Sequence, residues 1–121
     1  MSWFDLPEHE LRSYRTATEE PEGLDAWWQA RLDQAREAAS PPTLERYAPD
    51  AYGPVTVYDV SFSGAHGDRI RAWLLLPPSR SDRSVPAAVT FIGYGGGRGV
   101  AAEHLVLPAT GIAAFVMDTR G

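Results

Sequence analysis

Hydrophobic side chains in the first third of the chain recur at the spacing of an α-helix. Leu24, Trp28, Leu32, Ala35 and Ala39 follow one another at intervals of three or four residues. Positions at these intervals lie on one face of a helix with 3.6 residues per turn. The pattern therefore predicts a helix over this span, with the tryptophan-bearing face packed against the rest of the protein.

Residues 1–47 are predicted to form a helical N-terminal extension. Asp5 and Glu8 have the spacing of a capping box, which predicts a short first helix. The longer helix is expected to end at Pro41 and Pro42, because proline has no backbone N–H and restricts the residue before it.

From residue 55 the pattern changes to that of strands. Residues 55–62 and 70–76 are rich in β-branched and aromatic side chains. Residues 64–68 between them, Gly-Ala-His-Gly-Asp, form a cluster typical of turns. The segment therefore predicts an antiparallel hairpin.

Two later runs are apolar without alternation, at residues 87–92 and 112–117. Such runs are typical of parallel strands that are covered on both faces. Residues 100–109 between them predict a crossover helix, and the whole has the size of one βαβ unit, about 30 residues. We expect an α/β protein in which an antiparallel hairpin leads into parallel strands, with 112–117 as an exposed, aggregation-prone edge.

Composition narrows the class of protein. With 121 residues, 44% of them hydrophobic, and a net charge of −5, the chain predicts one folded domain rather than a disordered segment. It has no cysteine, and all 11 basic residues are arginine. A disulfide scaffold, a thiolate zinc site, a cysteine nucleophile and Schiff-base chemistry are therefore excluded.

Charge and hydropathy bear on partners and location. The acidic balance argues against nucleic acid or an anionic membrane as a partner, since a basic surface is needed to bind either. The N-terminus lacks the features of a signal peptide, and residues 112–117 are far shorter than the roughly 20 apolar residues of a membrane span. We expect a cytoplasmic protein.

The most informative segment is residues 93–99, in which five of seven positions are glycine. Glycines directly after a buried strand indicate a sharp turn or the close approach of another group. A Walker-type phosphate loop is excluded because it needs a lysine. Two catalytic or binding interpretations remain, a dinucleotide site and an oxyanion loop.

The dinucleotide interpretation rests on Gly97, Gly99 and Ala102, which fit the pattern G-x-G-x-x-G/A. Asp118 lies 21 positions after Gly97, close to the offset of roughly 20 at which an acidic residue meets a ribose hydroxyl. Against it, the fingerprint begins five residues after the strand, and Pro108 falls within the helix that should follow.

The oxyanion interpretation comes from α/β-hydrolases. In that fold a glycine-rich loop after the third strand donates a backbone N–H to the oxyanion of the tetrahedral intermediate. Glycines suit this loop because its amides must face the substrate with no side chains in the way. The predicted order of a hairpin, a parallel strand and then the loop agrees with that fold.

Six segments carry a more specific pattern, in order along nearly the whole chain: 5–15, 24–32, 58–64, 69–77, 91–99 and 115–121. The most diagnostic are FIGYGGGRG at 91–99 and FVMDTRG at 115–121. With these segments the chain resembles the N-terminal part of the acetyl xylan esterases and cephalosporin C deacetylases, carbohydrate esterase family 7.

This resemblance implies an α/β-hydrolase fold and a Ser-His-Asp triad, with no metal or organic cofactor. The implied substrates are xylan fragments, other acetylated sugars and cephalosporin C, from which acetyl groups are removed. Tyr94 matches the family's oxyanion and substrate-contact tyrosine, and it is flanked by Gly93 and Gly95. Arg120 and Gly121 match the first two residues of an Arg-Gly-Gln motif that supports the active site. The family is often oligomeric, so a homo-oligomer is expected only for a full-length form.

The triad itself is not found in these residues. None of the eight serines lies in a G-x-S-x-G context. His9, His66 and His104 are each expected to be surface or packed imidazoles, since a triad histidine needs a serine and a carboxylate in reach. The prediction is therefore an extension over 1–47 and the first strands of a hydrolase domain over 48–121, ending before the serine elbow and inactive alone. A nucleotide-binding module and a non-catalytic interaction module are the alternatives.

Overall fold

A mixed five-stranded sheet is the centre of the fold. The structure is a computed structural model that describes residues 6–78 and 84–119. Its strands are β1 (Thr43–Arg46), β2 (Thr56–Ser63), β3 (Arg69–Leu76), β4 (Ala87–Phe91) and β5 (Ala113–Met117), and its helices are α1 (Glu8–Leu11), α2 (Leu24–Ala38) and α3 (Val106–Ala109), with a 3₁₀ turn at Ala101–His104. The strands lie in the order β1-β2-β3-β5-β4.

The predicted hairpin is confirmed. Strands β2 and β3 pair antiparallel from Thr56 opposite Leu76 to Ser63 opposite Arg69. The turn closes where the Gly64 N–H donates to the Asp68 carbonyl oxygen at 2.7 Å. Both strands are eight residues long, so the hairpin forms the largest pairing in the sheet.

The predicted parallel pairing is also confirmed, since β4 and β5 run parallel with Val89 opposite Phe115. The predicted burial of both strands is wrong for β4, because four of its five residues are exposed at the edge of the sheet. Strand β5 pairs antiparallel with β3, which joins the parallel pair to the hairpin. The ends of β4 and β5, at Phe91 and Met117, define the carboxyl edge of the sheet. The start of β3 lies at this same edge, because the Asp118 N–H donates to the Arg71 carbonyl oxygen at 2.9 Å.

Val60, Ala72 and Ala113 are buried on one face of the sheet, but the main hydrophobic cluster lies on the other face. Alternate positions of three neighbouring strands contribute its buried side chains, as the two-residue period of a strand requires: Val57, Trp73, Leu75, Ala114 and Val116. Ala101 of the 3₁₀ turn and the partly buried Leu105 and Leu107 pack against them. The turns that follow the glycine loop are thus packed against the core.

Three predictions about the elements are wrong. Residues 43–46 are not helical but form β1, in which Leu44 pairs with Val60 of β2. Strand β5 is not an edge, because it lies between β3 and β4, and β4 occupies the edge with Phe91 76% exposed. The crossover at 100–109 is not one helix but the 3₁₀ turn followed by the single turn α3. Pro108 has no N–H to donate to the His104 carbonyl oxygen, so a hydrogen bond that would join the two turns into one helix cannot form.

The helix predicted from the hydrophobic periodicity is confirmed as α2, but the predicted burial of its apolar face is wrong. No residue of α2 is buried, and Trp27 and Trp28 are each 53% exposed. Helical periodicity identifies the apolar face without identifying what covers it. The first helix is the single turn α1, which begins after Pro7 with no side-chain cap, and the predicted cap Asp5 lies outside the described residues.

Over residues 6–78 and 84–119, no helix has the length and apolar character that a membrane crossing requires.

Candidate active site

The first half of the glycine loop is a tight turn at the carboxyl edge of the sheet. The Gly96 N–H donates to the Gly93 carbonyl oxygen at 3.1 Å. Gly95 has a φ of +80°, a value that the third position of a type II turn requires and that favours glycine. Tyr94 therefore occupies the second position of the turn, and it is 96% exposed.

An open cavity of about 570 Å³ lies beside this turn. It is lined by Tyr94, Gly95, Gly96, Asp118 and Thr119, so the segments that follow β4 and β5 meet there. This volume is in the range of small-molecule sites, roughly 300–1,000 Å³. The predicted site residues Tyr94 and Gly95 are thus brought together, with Gly93 at the start of the turn. Arg120 and Gly121 lie outside the described residues.

The second half of the loop is held by the Arg98 side chain. Its Nη1 donates to Asp59 Oδ1 at 2.7 Å and to the Ala72 carbonyl oxygen at 2.9 Å. Its Nε lies 3.5 Å from Asp118 Oδ2. The guanidinium carbon lies 3.9 Å from the centroid of the Trp73 ring, within cation–π distance. One side chain therefore contacts strands β2 and β3 and the residue after β5.

The backbone around Arg98 is fixed as well. The Arg98 N–H donates to Asp118 Oδ1 at 2.5 Å, and His104 Nε2 lies at hydrogen-bond distance, 2.8 Å, from the Arg98 carbonyl oxygen. The Trp73 indole N–H donates to the Gly99 carbonyl oxygen at 2.9 Å. These bonds join the loop to the buried core through its backbone.

Asp59 is a nearly buried carboxylate shared by two arginines. Its side chain is 15% exposed and accepts hydrogen bonds from Arg98 and, at 2.5 Å, from Arg71 Nη2. Burial opposes ionisation, but the hydrogen bonds and charges of Arg98 and Arg71 outweigh it and lower the pKa of Asp59 below its ordinary value. Asp59 is therefore ionised at neutral pH and balances the guanidinium charge next to the loop.

Two amides of the glycine loop do not face outward, contrary to the prediction. The N–H groups of Gly96 and Arg98 are already bonded within the chain, to Gly93 and Asp118 respectively. The prediction that the loop amides face the substrate is wrong for these two positions. The Gly96 N–H closes the turn, and the Arg98 N–H binds the Asp118 carboxylate. The N–H groups of Gly96 and Arg98 are therefore not free to donate to a ligand in the cavity.

The same contacts do not favour a dinucleotide site. Asp118, which should bind a ribose hydroxyl, instead accepts the Arg98 N–H and lies beside the Arg98 guanidinium. The segment after Gly99 begins with a four-residue 3₁₀ turn rather than a long helix whose N-terminus holds a pyrophosphate.

The described histidines and serines form no nucleophilic pair. His9 and His66 are exposed, whereas His104 contacts the Arg98 backbone. Ser63 Oγ accepts the Ser40 N–H, and the hydroxyl oxygen of Ser61, which is buried, accepts from Arg69 Nε. Within residues 6–78 and 84–119, no three His, Asp or Glu side chains are grouped to hold a metal ion.

Sequence reasoning missed the roles of Arg98, Asp59 and Trp73. One signal was present, since Asp59 is a charged residue in the middle of a β-branched strand, where aspartate is disfavoured. Such a residue indicates a buried partner. The partner itself was not evident, because Arg98 follows 39 positions later.

A family model described as acetyl xylan esterase (AXE1) matches residues 1–121. The chain belongs to the acetyl xylan esterase family. The dinucleotide-binding alternative receives no support from the comparisons. The interaction-module alternative likewise receives no support from the comparisons.

Two solved acetyl xylan esterases are similar in structure. Acetyl xylan esterase 1 from Thermoanaerobacterium sp. JW/SL YS485 matches 98% of this chain with 30% identity and a TM-score of 0.81. The acetyl xylan esterase from Paenibacillus sp. R4 matches 96% with 26% identity and a TM-score of 0.83. The chain covers only 36% and 37% of those two chains. The predicted α/β class is confirmed, and the fold matches the N-terminal part of acetyl xylan esterase structures.

Proposed function

We propose that this chain supplies the oxyanion-binding loop of a carbohydrate esterase that removes O-acetyl groups by serine-hydrolase chemistry. The observation that carries the proposal is the placement of Tyr94 in a tight turn that lines a cavity at the carboxyl edge of the sheet. Binding sites in α/β folds lie at this edge of the parallel strands. Membership of the acetyl xylan esterase family supports the reaction type.

The proposed role of Tyr94 is to donate its backbone N–H to the negative oxygen of the tetrahedral intermediate. A donor held in place before the reaction stabilises charge that develops only in the transition state. The space beside Gly93 and Gly95 is open, because a Cβ built on either residue would meet nothing within 4 Å. This space leaves room for the acetyl group. Asp118 also lines the cavity, and its pairing with Arg98 reduces its repulsion of the oxyanion.

Catalysis is proposed to need residues that these 121 do not contain. The sequence has no G-x-S-x-G serine, and the contacts of His104 assign it to the loop backbone rather than to a nucleophile. A site without nucleophile, base and second oxyanion donor retains little of the rate enhancement of the complete triad. We therefore expect no ester hydrolysis by the chain alone, and we expect Arg120 and Gly121 to support the site in the complete fold.

Two measurements test this function. The first follows p-nitrophenol release from p-nitrophenyl acetate by the purified 121-residue chain, for which no burst is expected. The second uses a chimera in which these residues replace the matched segment of the Thermoanaerobacterium esterase, for which hydrolysis is expected. A stoichiometric burst from the chain alone, or a folded chimera without activity, would contradict the proposal.

The substrate range is proposed from the resemblance as well. Xylan oligosaccharides, other acetylated sugars and cephalosporin C all present an acetyl ester on a polar leaving group. Acetate release by the chimera from each of the three, relative to p-nitrophenyl acetate, tests this range. A cytoplasmic location and a homo-oligomeric full-length form stay predictions from the sequence.

A further inference from the structure

Arg98 links the glycine loop to strands β2 and β3 and to the residue that follows β5. Its side chain contacts Asp59 on β2, the Ala72 carbonyl oxygen and Trp73 ring on β3, and Asp118 directly after β5. The side chain is 16% exposed, so these contacts are shielded from solvent. Arg98 thus combines an ion pair, a hydrogen bond to the backbone and stacking on a ring in one side chain.

We propose that Arg98 is a positioning residue, which fixes the turn at 93–96 relative to the sheet and so sets where the Tyr94 amide lies. The inference rests on the proposed function for its relevance to catalysis, but its structural part stands on the contacts of Arg98 alone. Arg98 itself is not a lining residue of the cavity and acts through the loop backbone.

The glycine loop has little stiffness of its own. Three consecutive glycines, Gly95 to Gly97, separate Tyr94 from Arg98. Glycine has the largest conformational freedom of any residue, so this stretch is ordered only if both of its ends are held. Strand β4 holds one end, and Arg98 holds the other.

Asp118 holds both the side chain and the backbone of Arg98. Asp118 accepts the Arg98 N–H with Oδ1 and faces its Nε with Oδ2, so one carboxylate orients the peptide and the guanidinium together. The backbone passes close to it, because a Cβ at Gly97 would lie 3.2 Å from Asp118 Oδ1. Movement of Arg98 would therefore move the loop and one wall of the cavity, which Asp118 also lines.

The surroundings of residue 98 fit arginine better than lysine. The guanidinium is flat, so one face stacks on Trp73 while its edge donates to Asp59 and to the Ala72 carbonyl oxygen. A lysine ammonium is a compact charge that lacks the planar face and the fork of donors. The conservative change is thus expected to restore only part of the function.

The test measures backbone order in the ¹⁵N-labelled 121-residue chain and in Arg98→Met and Arg98→Lys. The order parameters of Tyr94 and Gly95 are expected to fall from about 0.85, typical of rigid backbone, to below about 0.6 in Arg98→Met, with an intermediate value in Arg98→Lys. The control is Arg71→Met, which removes the other arginine from Asp59 but lies on β3 outside the loop. It is expected to leave the loop's order unchanged.

A second readout separates positioning from general destabilisation. In the chimera, Arg98→Lys is expected to lower kcat at least about tenfold with KM unchanged, because small misplacements of a catalytic group have effects of this size. Urea unfolding of each variant checks that the native state is populated. If the chimera is inactive, the proposed function fails, while the order parameters still decide the role of Arg98.

Two results would overturn the inference. One is an unchanged order parameter for Tyr94 and Gly95 in Arg98→Met relative to the unmodified chain. If Arg98→Met does not fold, the same result in Arg98→Lys would overturn it. The other is an equal loss of loop order in Arg71→Met, which would show that the charge on Asp59 and not the Arg98 anchor controls the loop.

Discussion

The indole N–H of Trp73 donates to the carbonyl oxygen of Gly99 at 2.9 Å, while the face of the same ring carries the Arg98 guanidinium. Trp73 belongs to the buried core of the sheet. A single core side chain therefore holds two consecutive residues of the glycine loop, one through its backbone and one through its side chain. The stability of the core and the geometry of the site are coupled at this position.

Replacement of Trp73 by phenylalanine removes the hydrogen bond and reduces the stacking surface but keeps an aromatic ring in the core. We expect the free energy of unfolding to fall by about 2 kcal/mol, from the lost bond and the smaller ring. Urea denaturation checks this value. The matched control is Trp27→Phe on the exposed face of α2, for which a change within about 0.5 kcal/mol is expected. Equal effects at the two positions would refute the coupling.

Gly99→Ala is expected to destabilise the loop by roughly 2 kcal/mol. Gly99 has a φ of +60°, which costs a residue with a Cβ about 1–2 kcal/mol. Its Cβ would also lie 2.1 Å from Glu103 Oε2 and displace that carboxylate from the Val100 N–H. Gly93→Ala is the control, since a Cβ there meets nothing within 4 Å. In thermal or urea unfolding, Gly99→Ala should be clearly less stable than Gly93→Ala. The reverse order of stability would contradict the geometry.

The lowered pKa of Asp59 predicts how stability depends on pH. Because the pKa of Asp59 in the folded chain lies below the ordinary 3.8, the unfolded chain binds the proton more readily. The stabilisation is therefore fully present above that ordinary value and is lost as the pH falls through the folded-state pKa. Urea unfolding between pH 7 and pH 3 should show a flatter acid limb for Asp59→Asn than for the unmodified chain.

A control separates this effect from general acid sensitivity. Asp50 lies in the exposed turn before β2. Asp50→Asn is therefore expected to lose stability at acid pH as steeply as the unmodified chain does. If Asp59→Asn and the unmodified chain lose stability in parallel below about pH 4, the ionised Asp59 carboxylate does not stabilise the fold through Arg98 and Arg71.

The edge strand β4 predicts the solution behaviour of the chain. Its outer backbone is next to no described strand, and Phe91 is 76% exposed. Exposed apolar edges promote strand addition between molecules, and lysine on an edge opposes it. Phe91→Lys is expected to raise the monomer fraction in size-exclusion chromatography. Val106→Lys, at an equally exposed apolar position in α3, is the control and should change it less.

Local pattern predicted the elements that local interactions determine. The hairpin followed from β-branched strands and a glycine turn, and the parallel pair followed from two runs without alternation. Strand β1 was missed because four residues, TLER, carry almost no periodicity, and its pairing with β2 supplies the stability. The edge was assigned to the wrong strand because spatial order differs from sequence order in β3-β5-β4.

The site was predictable only in part for the same reason. The glycines and Tyr94 are contiguous, so their turn could be recognised from the sequence. The anchor joins Asp59, Trp73, Arg98 and Asp118, which are between 14 and 59 positions apart and meet only in the folded sheet. Contacts between residues so far apart in sequence produce no local sequence pattern from which they could be predicted.

The most direct test of the account replaces the Tyr94 amide itself. Tyr94→Pro suits the second position of a type II turn and removes the N–H, whereas Tyr94→Ala keeps the N–H and removes the side chain. In the chimera with the Thermoanaerobacterium esterase, kcat for p-nitrophenyl acetate is expected to be about 100-fold to 1,000-fold lower in Tyr94→Pro than in Tyr94→Ala. Values of kcat within twofold of each other in the two variants would contradict an oxyanion role for this loop.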